Sequence, residues 1–124
     1  MTPRARPDAA RRAPTTLVGM ADHVQVVTTT DSEDSAAALA RGIVDAQLGA
    51  CVQVVPIRSF YRWDGEVQDD PEWQLQVKTA ASRVEDLVAH IRDHHDYDVP
   101  EVIATPITGG NPEYLAWVRT ETMP

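Results

Sequence analysis

Cysteine is almost missing from this chain: Cys51 is the only one among 124 residues. A single thiol excludes an internal disulfide framework and fits a reducing compartment. Basic side chains are scarce as well, 11 Lys and Arg against 19 Asp and Glu, for a formal net charge of −8. That sign argues against nucleic acid and anionic membrane surfaces as partners. No apolar run approaches the ~20 residues of a membrane-spanning helix. There is no glycine-rich phosphate loop, since Gly109-Gly110 alone is a turn. No nucleophile sits beside a recognisable base motif, so no catalytic residue is assigned and the chain is read as a binding protein, not an enzyme. The length suits one domain with a real core.

The few cations are unevenly placed. Residues 1–21 hold Arg4, Arg6, Arg11 and Arg12 against Asp8 alone, a net of +3, which leaves −11 on residues 22–124. The first segment is rich in Pro, Ala and Arg without an apolar period, the composition of a disordered tail. Arg11-Arg12 is followed by too short an apolar stretch for a signal peptide, and Met20 is a plausible true start. The domain is therefore expected over 22–124.

Arg58 to Thr79 organises that domain. Asp64-Gly65 is a strong hairpin signal, because both central positions of a type I′ turn need positive φ. Phe60, Tyr61 and Trp63 precede it, and Trp73, Leu75 and Val77 alternate afterwards with Gln74, Gln76 and Lys78. A period of two with one apolar face predicts a long antiparallel ribbon. Asp69-Asp70-Pro71 interrupts the return strand and predicts a bulge or an edge there. So long a ribbon projects from a small domain and needs a partner, which argues for an oligomer.

Around it, His23 to Thr30 is a β-branched strand. Asp31 or Ser32 caps a helix with Ala36, Leu39, Ala40, Ile43, Val44 and Leu48 on one stripe, and Gly49 is placed to end it. Cys51 to Val55 runs through Pro56 into the ribbon. Ser82-x-x-Glu85 predicts a capping box opening a second helix with Val84, Leu87, Val88 and Ile91 inward. Val99 to Ile107 is a fourth strand, and Asn111-Pro112 opens a short last helix with Tyr114, Leu115, Trp117 and Val118. This order is the α+β, ferredoxin-like βαββαβ arrangement, an antiparallel sheet with a long β-hairpin and a short C-terminal helix. That fold hosts many functions. A copper-chaperone version lacks its C-x-x-C at Thr28-Thr29-Thr30-Asp31, and an RNA-binding version lacks its basic face.

Six pieces in order carry a resemblance: T-T-T (28–30), L-G-A-C-V-Q (48–53), S-F-Y-R-W-D-G-E-V (59–67), K-T (78–79), H-D-Y-D-V-P-E (95–101) and N-P-E-Y-L-A-W (111–117). Over residues 23–119 the chain resembles the CutA family of divalent-cation tolerance proteins. The resemblance implies a tight homotrimer whose hairpins embrace neighbours, in the cytoplasm, and a role in the response to divalent metal, with copper the ion usually named. Its architecture is similar to the PII signalling trimers, so a small ligand at intersubunit clefts is one alternative and a trimeric scaffold for a protein partner another. Here Gly49 replaces an Ala, Gln53 an Asn, and Asp96 the Pro usual before Tyr97.

The metal candidates are His95, Cys51 and Glu101. Cys51 is the one soft atom, although a lone cysteine in an apolar strand is ordinarily a small buried residue. His95 matches the family motif, against the plainer reading of a hydrogen-bonded structural histidine. His90 and His94 are spaced i, i+4 and able to chelate, although such pairs are ordinarily a solvated face. Tyr61, Trp63, Lys78, Tyr97 and Trp117 are candidates for a ligand cleft, against packing for the aromatics, Trp73 included, and an intersubunit ion pair for Lys78 with Glu101.

Overall fold

The computed structural model describes residues 21–124, so the expected tail over 1–21 and the start at Met20 lie outside the described residues but for Ala21. Four strands form one sheet: β1 (His23–Thr30), β2 (Cys51–Trp63), β3 (Glu66–Ala80) and β4 (Val102–Ile107). Its order is β2-β3-β1-β4 with every neighbouring pair antiparallel. Helices α1 (Glu33–Asp45), α2 (Val84–His94) and α3 (Pro112–Glu121) complete the chain.

The register sorts the sheet into two faces. Cross-strand partners Val26 and Val77, Thr28 and Leu75, and Val26 and Ala104 point to one side. On that side Val24, Val26, Leu75 and Val77 meet Ala36, Leu39 and Ile43 of α1 and Val84, Leu87 and Ile91 of α2 in a single buried cluster. Each fully buried aliphatic side chain contributes about 1.5–3 kcal/mol by leaving water. Trp73 belongs to the rim of this cluster, so its packing lies within the protomer. Val44, expected on the α1 stripe, is instead 44% exposed. The opposite face carries Gln25, Val27, Val55, Gln74, Gln76, Lys78 and Ile103, and α3 covers it only near His23, whose ring Nε2 lies 2.8 Å from the Leu115 carbonyl oxygen.

Several local expectations resolve in favour of one residue. Ser32, not Asp31, caps α1: its hydroxyl accepts from the Ser35 N–H at 3.0 Å. The helix ends before Gly49, because Gln47 takes the left-handed turn at φ 59°. The Gln47 N–H bonds the Val44 carbonyl and the Leu48 N–H bonds the Ile43 carbonyl, a Schellman closure with Leu48 tucked inward. Gly49 has a different reason to be glycine. A Cβ there would lie 2.5 Å from Val77 Cγ1 and 2.9 Å from Ile43 Cγ2.

The capping box at Ser82 and Glu85 does not form. The chain is already turning in a 3₁₀ segment at Ala81–Arg83, so α2 starts at Val84 with no side-chain cap. The fourth strand begins at Val102, three residues later than expected, and α2 stops at His94, with His95 extended at φ −97°, ψ 145°.

The hairpin turn is as expected, Asp64 at φ 54° and Gly65 at φ 80°. No bulge occurs at Asp69-Asp70-Pro71, where pairing runs unbroken from Ser59 with Asp70 to Arg58 with Pro71. The region is an edge instead, since β1 pairs with β3 only from Trp73 onward. Residues 66–72 therefore project with β2 alone, about 23 Å at ~3.3 Å per residue. An Arg58–Asp69 fork at 2.8 and 2.7 Å spans this ribbon, with the Arg58 guanidinium 5.0 Å from the Phe60 ring centre. The fork raises the pKa of Arg58 and lowers that of Asp69, but it is solvent-exposed and adds little to stability.

Candidate functional site

Where the hairpin leaves the sheet, residues from three parts of the chain converge. Tyr61, Asp70 and Glu72 share the side of the ribbon that continues the uncovered sheet face, as the register requires. The loop after α2 brings Tyr97 to the same place, and the end of β1 brings Asp31. Together with Pro71 they line a cavity of about 330 Å³.

Glu72 is its deepest group, 3% exposed although it belongs to a projecting strand. The Tyr97 hydroxyl donates to its carboxylate at 2.9 Å, and the Tyr61 hydroxyl donates to Asp70 at 2.6 Å. A buried carboxylate needs donors or a cation, yet among the described residues the lining holds only carboxylates, phenols and Pro71. Hydrogen bonding, burial and the nearby negative charge all disfavour ionisation of the neighbouring groups. The bond to Asp70, helped by burial and the charges of Asp70 and Glu72, pushes Tyr61 up to about 12. Burial and then the bond to Glu72 raise Tyr97. Burial, then the charge of Glu72, raises Glu101 above the usual carboxylate range.

His95 anchors the loop that delivers Tyr97. Since a carbonyl only accepts, its Nε2–H donates to Thr29 O at 2.7 Å; its Nδ1 accepts the Tyr97 N–H at 3.0 Å. Both ring nitrogens are thus engaged, and the ring lies 4.7 Å from that of Tyr97. His95 is a positioning residue for Tyr97, and ligating a metal would break one of these bonds. Asp96 accepts a bond from the Ser35 hydroxyl at 3.1 Å and so ties the loop to α1.

The sequence candidates divide into separate places. His95, Glu101, Tyr61 and Tyr97 lie at the hairpin end of the sheet. Cys51 pairs with Lys78, which pairs with Gln25. That is four residues from Thr29 along β1, on the order of 13 Å, so Cys51 and His95 of one protomer do not share one ion. Cys51 instead adjoins Tyr114, whose pKa is raised by burial and then by the thiol. Lys78 donates to Gln53 at 2.6 Å, and no ion pair with Glu101 forms in the protomer. Trp117 packs by Tyr114, centroids 5.6 Å apart, and Trp63 stands 40% exposed at the hairpin tip. Of the five cleft candidates only Tyr61 and Tyr97 face the cavity.

Glu72, Asp70 and Asp31 were missed. The signal for Glu72 was present, since it continues the parity of Gln74, Gln76 and Lys78 rather than that of Leu75. Among the described residues, no three His, Cys, Asp or Glu side chains already converge in a geometry fit for a metal ion. No described helix is long and apolar enough to cross a membrane.

A trimly built α+β sheet with a projecting ribbon and an acidic, tyrosine-lined cavity at its base defines the class of protein. The profile of the CutA1 divalent ion tolerance protein matches residues 24–121, and the chain belongs to that family. It is 44% identical over 98 residues to the divalent-cation tolerance protein CutA of Thermus thermophilus, covering 78% of this chain and 95% of that one. It is 46% identical over 100 residues to the chloroplastic protein CutA of Arabidopsis thaliana, covering 80% of this chain but 55% of the relative. The chain thus spans about half the length of the plant relatives it matches. The crystal structure of CutA1 from Oryza sativa superimposes with a TM-score of 0.81 at 42% identity, covering 83% of this chain and 95% of that one.

Proposed function

We propose that the protein is a cytoplasmic homotrimer that binds a divalent metal ion, copper foremost, in the cavity at the base of the hairpin, and that it serves the response to metal by binding rather than by catalysis. One observation carries the reading: Glu72 is 3% exposed in a cavity lined by carboxylates and phenols, with no cationic side chain among the described residues of that lining. A divalent cation there would offset the negative charge of Asp31, Asp70 and Glu72, which within one protomer do not form a three-ligand site. Copper is favoured because Cu(II) heads the affinity order of the divalent first-row ions at oxygen and nitrogen sites. The same sign of charge disfavours an anionic or nucleotide-like ligand at this cleft.

Assembly follows from what the protomer leaves uncovered. Val55 is 37% and Ile103 52% exposed on the open sheet face, and Phe60 and Val67 are 63% and 65% exposed on the ribbon. Three copies related by a cyclic axis would bury each open face and ribbon against a neighbour, and the cavity, which adjoins that face, would lie near a subunit seam.

Native mass spectrometry and copper(II) calorimetry test both parts on the full chain. A trimer mass is expected, and Glu72→Gln, which retains an acceptor for Tyr97, should weaken binding at the cavity at least tenfold, about 1.4 kcal/mol. A monomer at micromolar concentration defeats the assembly, and unchanged affinity in Glu72→Gln defeats the cavity as the site.

A further inference from the structure

A second group of ligating side chains lies on the helical layer, on the side of the sheet away from the cavity just described. His90 and His94 fall one turn apart on α2 with their rings stacked, centroids 4.1 Å apart and planes 23° from parallel. They border a cavity of about 260 Å³ that Ser35, Gly42 and Asp96 also line. We propose that His90 and His94 form a two-imidazole chelate for a divalent transition metal, separate from the carboxylate cavity.

The state of each ring supports this. His94 Nδ1 lies 2.8 Å from the His90 carbonyl oxygen, and a carbonyl can only accept, so Nδ1 carries the proton. That bond orients the ring and leaves its Nε2 lone pair for a ligand, the second-shell arrangement found behind most metal-bound histidines. His90 Nε2 is shielded from water and meets no hydrogen-bond partner among the described residues. An imidazole nitrogen kept from water without a partner is costly, and a metal bond removes that cost. Nε2 is therefore uncommitted on both rings, in contrast to His95, whose two nitrogens are engaged.

Spacing is compatible as well. Two imidazole nitrogens at ~2.0–2.1 Å from one ion sit about 3 Å apart; because each lone pair lies in its own ring plane, sharing an ion opens the stack, the His90 ring turning while the Nδ1–H bond holds His94. Binding turns the His90 ring about its Cβ–Cγ bond and brings Nε2 to the cavity. Gly42 permits this: even a Cβ there would stand 3.6 Å from Nε2, so the bare glycine leaves the ring room to move. Asp96, hydrogen-bonded to Ser35 across the cavity, adds a nearby negative charge that favours a cation without ligating it. Imidazole donors select Cu(II), Ni(II) and Zn(II) over Mg(II) and Ca(II).

Copper(II) titration of the full chain, followed by electron paramagnetic resonance, tests the site. The wild type should show nitrogen hyperfine splitting from two imidazoles, and His94→Ala, an exposed substitution that should leave the circular dichroism spectrum unchanged, should lose that signal and at least tenfold in affinity for this class of site. Glu72→Gln should leave the two-nitrogen signal unchanged, so a failure here is distinguishable from a failure of the carboxylate cavity. His90→Gln gives a second check, because it keeps a polar side chain against Gly42 while deleting the ligand, and it should also abolish the two-nitrogen signal. A two-nitrogen spectrum that survives in His94→Ala, or a wild type with no nitrogen coupling at saturating copper, overturns the proposal.

Discussion

One strand presents two different surfaces. On β3, Leu75, Val77 and Thr79 are completely buried, while Gln74, Gln76 and Lys78, one residue away in each case, remain partly exposed. Leu75 and Val77 of the first set meet α1 and α2 in one buried cluster within a single chain. The second set faces outward with Val27, Val55 and Ile103, a mixture of amides and aliphatics that no described element covers beyond the reach of α3. The difference teaches where this molecule is self-sufficient. Its stability is built on the helical side, and the apolar surface it leaves uncovered is on the other.

Breaking the covered face should have the largest effect. Leu75→Ala removes a side chain with no solvent exposure from the centre of the cluster, and urea unfolding should show a loss of about 2–5 kcal/mol. A loss below about 1 kcal/mol would mean that stability is not concentrated on this side.

Gly49 sharpens the comparison, because it closes the covered face from a loop. Gly49→Ala inserts a Cβ against Val77 and Ile43 and should cost about 1–3 kcal/mol by overpacking. The measured midpoint in a denaturant series checks it, and a gain in stability would show that β3 and α1 separate easily there.

The smallest effect on folding is expected on the ribbon. Val67→Ser changes a side chain that is 65% exposed, so the protomer should lose less than about 0.5 kcal/mol. Light scattering on the same variant should nevertheless show weaker assembly at low micromolar concentration, because the apolar ribbon has lost part of its docking surface. Unchanged assembly would relocate the interface to the open sheet face alone.

Much of this arrangement was written locally. The Asp64-Gly65 pair dictates its turn because few residues accept two successive positive φ values. Ser32 caps α1 because a short hydroxyl side chain reaches the N–H three residues on. The alternation along β3 determines both faces at once, since a strand of period two has no other choice. Ser82 and Glu85 misled for a reason equally physical. A capping box needs an extended residue at its start, and the 3₁₀ turn had begun at Ala81, one residue before Ser82. Gly49 misled because a glycine signals either a left-handed turn or a close approach, and composition does not say which.

The site is where local reading stops. By itself the sequence determined the element order, the hairpin, the two faces of β3 and membership in a family, because each depends on residues near one another in the chain or on a motif in order. Only the tertiary structure decided that His95 is spent on Thr29 and Tyr97, and that Cys51 lies at the opposite end of the sheet from it. It also decided that Glu72 is buried beneath Tyr97, and that the rings of His90 and His94 stack with Nε2 uncommitted on each. Those facts turn on contacts between residues as far apart as Thr29 and His95, and on which hydrogen bond each ring nitrogen makes. Neither spacing nor residue type carries that information, because a donor's availability is set by what the fold places beside it.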